Sequence, residues 1–231
     1  MNEENKNNEN NKKSNIITTI ILILAIIGIL FSGFNLFGIF GEYKEAEDEY
    51  IAVKKEYVQK VDFNDKDEKE KVPKREIDFK SLQEINPDII GWIWLPDTEI
   101  DYPILQSSDN EDYLYTTFNG TSNSSGSIFV DFRNKGILND NNTIVHGHNM
   151  KNGSMFHALN NYPDEEFFNK HKTFWIFTPD GKSKEFDIIS LYVGNSKSNA
   201  YYIEGESLTY EEWLKDICFK SIHDTVDYDV I

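Results

Sequence analysis

Apolar and polar positions divide this chain sharply. From Asn15 to Phe40 no side chain is charged, and Ile20 to Phe31 is an unbroken apolar run. At about 1.5 Å per residue, a helix over 15–40 crosses a hydrocarbon core of roughly 30 Å, so a retained transmembrane anchor is expected there. The uncharged run exceeds the ~7–15 residues of a signal-peptide core, and no small-x-small cleavage site follows it. Residues 1–14 are polar and Asn-rich and read as a disordered cytoplasmic tail. Lys12 and Lys13 precede the span, whereas Glu42, Glu45, Glu47, Asp48 and Glu49 follow it. The positive-inside bias puts the N-terminus in the cytoplasm and the rest of the chain outside.

Residues 41–76 read as a charged stalk helix and linker. Tyr43, Ala46, Tyr50, Val53 and Tyr57 step by three and four, so they share one helical stripe, expected to dock on the chain's own domain. The charge run Asp62 to Lys71 reads as a solvated linker, and Pro73 as a break before the folded part. From 77 to 231 the texture is globular. Phe79 to Ile85 predicts a helix ended at Asn86-Pro87. Gly91 to Leu95, Glu99 to Leu105, Ser127 to Val130 and Thr143 to His146 predict short strands. Ser154 to Asn160 and Pro163 to Asn169 predict short helices. Thr173 to Thr178 and Lys184 to Val193 predict strands joined by a hairpin at Asp180-Gly181. Thr209 with Glu212 three residues on is a capping box, opening a helix to Ile222. Short strands with interspersed helices give a mainly β fold with helices, a barrel or sandwich.

Composition narrows the partners. A net charge of −17 disfavours nucleic acid, because phosphate binding needs an excess of Lys and Arg. Aromatic residues at 14% can build a core. The single cysteine, Cys218, excludes an internal disulfide and a Cys-rich zinc site. It shares an apolar helical stripe with Tyr210, Trp213, Leu214 and Ile217, where a cysteine is usually a small buried hydrophobe with a raised pKa.

The chemistry-bearing segment is Val145-His146-Gly147-His148-Asn149-Met150, a strand running into a glycine and a polar tip. It places His148 at a strand end, where an imidazole can hold or deliver a proton. By itself, a lone histidine after a strand is structural more often than catalytic. His146 and His148 share a strand face, and with His157 they raise a zinc site, but no third ligand is set by spacing. No metal and no cofactor is expected.

This segment resembles the "GHN" block around the catalytic histidine of class B sortases, with His148 as the match and His146 where the family often has an aromatic. Asn86 to Gln106 is similar to the family's opening strands, Gly126 to Asn134 to its third strand and loop, and Gly153 to Leu159 to the helix after the histidine. The resemblance runs from about residue 79 to the end. It implies a sortase-like β-barrel at 77–231 and a cysteine transpeptidase. Such an enzyme cleaves a C-terminal sorting signal of surface proteins, holds a thioester, and passes the acyl group to an amine of the cell-wall peptide. The implied partners are surface proteins bearing that signal, the peptidoglycan precursor amine, and the membrane through residues 15–40. The implied location is the surface of a Gram-positive cell. The family's cysteine follows a Thr-Leu-x-Thr strand, with its arginine on the next strand. Neither motif occurs in this sequence, which ends at Tyr228 to Ile231. The expectation is therefore a barrel without its last two strands, with His148 but no nucleophile or arginine, and inactive alone. Arg133 lies in the third-strand block and reads as a structural ion-pair residue. The alternative reading is a non-catalytic, membrane-anchored peptide-binding module.

Overall fold

The computed structural model describes residues 3–60, 75–195, 197–203 and 208–223. Two compact units emerge, Met1–Lys44 and Glu45–Ile231. The first helix, α1, covers Glu3–Tyr57 and so contributes to both. It takes in residues 3–14, which composition alone assigned to a disordered tail. Adding residues to an existing helix needs no new nucleus, so polar residues before a strong apolar run can extend it. Among the described residues one helix is long and apolar enough to cross a membrane, and its apolar stretch is unburied. The linker expected at 62–71 and Pro73 lie outside the described residues.

In the second unit, Ala46, Tyr50 and Val53 of the stalk stripe are buried. A short ribbon not foreseen from the sequence follows. Strand β1 (Val58–Lys60) pairs antiparallel with β2 (Arg75–Ile77). Arg75 donates from Nη2 to Asp101 Oδ2 at 2.8 Å and lies over the Trp94 ring at 4.4 Å. Helix α2 (Phe79–Ile85) is capped by Asp78, which accepts from Ser81 N–H, and buries Phe79 and Leu82.

The main sheet contains β3 (Ile89–Trp94), β4 (Asp101–Leu105), β5 (Ile128–Val130), β6 (Val145–His146), β7 (Thr173–Phe177) and β8 (Ser183–Asp187). Its order is β6-β5-β4-β3-β7-β8, with β4 and β5 parallel and the other neighbours antiparallel. The mixed sheet curls into a half-barrel, with β6 and β8 at its edges among the described residues. Ile89, Trp92, Ile104, Leu105, Ile128 and Val130 form its buried centre. The β7–β8 hairpin turns at Gly181, whose φ of +79° suits a residue without a Cβ.

Short helices follow among the described residues, including a 3₁₀ turn at Asn199–Tyr201. The segment after the polar tip is a 3₁₀ helix, Phe156–Asn161, followed by α3 (Glu165–Lys170). Helix α4 (Tyr210–Phe219) carries the capping box read at Thr209 and Glu212. A strand expected to run to Val193 stops at Asp187. Beyond it, Leu191 O accepts from Ile222 N–H at 2.9 Å, and Ser190 Oγ donates to Ile217 O at 2.5 Å. The C-terminal end of α4 has replaced the sheet as partner for this stretch.

Candidate functional site

Strand β5 and the two-residue β6 carry the site. Phe129 pairs with His146 and Val130 with Val145. Gly147 follows at a place where a side chain has no room. An added Cβ would lie 2.7 and 2.8 Å from the Phe156 ring and closer still to Ile128 Cδ1. The chain then folds back, with an isolated bridge between Asn149 and Met155 and a Phe156 N–H to His148 O hydrogen bond of 2.9 Å.

His148 stands half-buried at this tip. Its Nε2 lies 2.7 Å from Leu114 O, and its ring is 5.7 Å from that of Tyr115. A carbonyl can only accept, so Nε2 carries the proton and donates. In the neutral ring Nδ1 is then the nitrogen without a proton.

His146, two residues back, has a different task. Its Nε2 is 3.1 Å from Asp131 Oδ2, and its ring stacks on Tyr201 at 6.2 Å. Asp131 is buried and also takes Arg133 Nε at 2.9 Å, Arg133 Nη2 at 3.1 Å and Asn110 Nδ2 at 3.0 Å. Burial alone pushes the Asp131 pKa up. The hydrogen bonds from Arg133, His146 and Asn110 outweigh it and hold the carboxyl well below the usual range. Arg133 therefore spends its charge on Asp131 and reaches Tyr201 O at 3.4 Å. This agrees with the ion-pair role read from the sequence.

The three histidines raised as metal ligands go separate ways, since His157 Nδ1 faces Asn149 Oδ1 at 3.0 Å. Among the described residues no group of three or more His, Cys, Asp or Glu side chains is placed to hold a metal. Cys218 is buried with Tyr202, Trp213 and Ile217, and its thiol faces Ile189 O at 3.9 Å. Burial pushes its pKa up. It has the environment of a structural cysteine, not an activated one.

Sequence reasoning named His148 as a candidate but not what holds it. The acceptor is a backbone carbonyl of Leu114, which no side-chain pattern reveals. Asp131 was findable, since an acid two residues before Arg133 at a strand end is a compact ion-pair signal.

No protein-family model matches the chain. Sortase B of Listeria monocytogenes is 40% identical over 149 residues, 63% of this chain, and the chain spans 59% of that relative's length. The crystal structure of sortase B from B. anthracis in complex with AAEK1 is 34% identical with a TM-score of 0.66, covering 82% of this chain and 85% of that one. A Staphylococcus aureus sortase B–substrate complex is 35% identical with a TM-score of 0.60, covering 64% of this chain and 69% of that one. Likeness of this extent in both sequence and fold, at 34% identity over 85% of a solved chain, places the protein: it belongs to the sortase B family.

Proposed function

We propose that this chain supplies the histidine part of a sortase-type transpeptidase site that joins surface proteins to cell-wall peptide. The observation that carries the reading is His148 at a strand tip, fixed through Nε2 on Leu114 O with Nδ1 left to exchange a proton. In the reaction a thiolate attacks the carbonyl of the sorting signal. The C–S bond forms, the amide C–N bond breaks, and protonated His148 gives its Nδ1 proton to the leaving amine. The incoming amine then forms the new amide, returns a proton to the imidazole and releases the thiolate. Cys218 does not serve as the thiol in this reading, because it is buried and its pKa is raised. Arg133 does not serve as the cation, because Asp131 holds it. The reading therefore leaves the thiol and the cation unassigned among the described residues. Residues 15–40 anchor the chain with Lys12 and Lys13 on the cytoplasmic side and the folded unit outside a Gram-positive cell.

A binding role without cleavage is the second reading, and a groove of about 350 Å³ supports it. Ile93, Ile100, Phe156, Leu159, Phe174 and Ile189 line it, an apolar bed for an extended peptide. The experiment that tests the first reading is cleavage of a fluorogenic sorting peptide by the full chain in detergent. The proposal expects binding without turnover. Turnover that survives Cys218→Ala but is lost in His148→Ala would overturn it, because a nucleophile would then have to exist within the chain.

A further inference from the structure

We propose that Tyr50 of the stalk helix is a positioning residue for His148, acting through two supports that converge on the histidine's backbone and ring. The first support runs through a glycine. Tyr50 Oη donates to Gly126 O at 2.8 Å, and Ser127 Oγ lies 3.3 Å from the same hydroxyl. Gly126 has a φ of +55°, and a Cβ there would come within 2.8 Å of Tyr113 O and closer still to Leu114 O. Its backbone is therefore pressed against the very carbonyl that accepts His148 Nε2–H at 2.7 Å. Pinning Gly126 from the helix side fixes where that carbonyl stands.

The second support runs through a strained turn. The Tyr50 ring meets Tyr102 edge-on, with centroids 5.2 Å apart and planes at 88°. Tyr102 Oη accepts from Met155 N–H at 3.0 Å. Burial pushes the Tyr102 phenol up to about 12, so the hydroxyl stays neutral. Met155 is fully buried at φ 56° and ψ −129°, a conformation that persists in a side-chain-bearing residue only where its surroundings over-determine it. It aims Phe156, whose N–H reaches His148 O at 2.9 Å and whose ring fills the space beside Gly147. One side chain of the stalk thus braces the acceptor on the imidazole and the turn beneath it. The helix through which this unit joins the rest of the chain sets the orientation of its proton-handling group.

The functional meaning rests on His148 being that group, but the test reads the imidazole and not turnover, so the two ideas fail separately. The full chain, labelled with ¹⁵N-histidine, is studied by NMR in detergent micelles. His148→Gln identifies the His148 ring signal. The His171 Nδ1–H, bonded to Phe167 O at 2.8 Å, is the internal reference. Tyr50→Phe and Tyr102→Phe keep the rings and remove one hydroxyl each. Each is expected to speed exchange of the His148 Nε2 proton by roughly tenfold, the factor that loss of about one hydrogen bond gives, with His171 unchanged. Exchange at His148 within about twofold of the parent, in variants that keep the His171 signal, would overturn the proposal. If one variant loses His171 as well, the other decides.

Discussion

Gly147→Ala puts the packing under the polar tip to a direct test. The new methyl would sit 2.7 and 2.8 Å from two Phe156 ring carbons and closer still to Ile128 Cδ1. Comfortable carbon–carbon contacts lie at about 3.5–4.0 Å, so something must move by the better part of an ångström. Ile128 is fully buried and paired on β5, so it cannot swing to solvent. Phe156 is half-buried, and its ring must turn within that packing to make room. Overpacking of this kind costs about 1–3 kcal/mol. For a unit of this size that corresponds to a Tm loss of roughly 2–12 °C. The assay is urea unfolding followed by tryptophan fluorescence, with the m-value checked for constancy. Trimming the obstacle in Gly147→Ala/Ile128→Val should recover part of the loss, because the two sites touch and their effects do not add. A Gly147→Ala protein as stable as its parent, within about 0.3 kcal/mol, would refute this picture of the tip.

Gly126→Ala combines positive φ with contact against two backbone carbonyls, so it should cost at least about 2 kcal/mol, measured by the same unfolding assay, with no single side-chain trim able to rescue it. Asp131→Asn should cost about 2 kcal/mol at neutral pH, because Arg133 and His146 lose a buried charged acceptor. The folded carboxyl has its pKa depressed, so its contribution is present above the unfolded value near 3.8 and is lost as pH falls through the folded one. Acid titration of stability should therefore show a steep loss below about pH 4 in the parent and a shallower one in Asp131→Asn. Thr209→Ala removes the capping box of α4 and should lower stability by about 1 kcal/mol in thermal melts, with Thr209→Ser restoring most of it.

Local patterns with a side-chain signature were legible. The Asn86-Pro87 stop, the Asp180-Gly181 hairpin and the Thr209–Glu212 box each appear where the sequence put them, because each depends on residues within a few positions. The stalk stripe at Ala46, Tyr50 and Val53 was legible as a buried face for the same reason. What escaped were features set by distant chain segments. The early end of β8 goes with hydrogen bonds that Ser190 and Leu191 make to Ile217 and Ile222, some thirty residues later. The β1–β2 ribbon depends on Arg75 finding Asp101 and Trp94. The helicity of residues 3–14 depends on the helix that follows, and not on their own composition. The place of His148 just past a strand was readable from its block, and the burial of Cys218 from its stripe. The Leu114 carbonyl, the Gly126 contact and the Met155 turn involve backbone atoms meeting across the fold, and residue types do not record them.

Intact-mass spectrometry of the full chain after incubation with a sorting-signal peptide asks most directly whether His148 has a working sulfur partner within the chain. The account predicts an unmodified mass, with Cys218 remaining a free, buried thiol. A thioester on Cys218 that disappears in His148→Ala would contradict it.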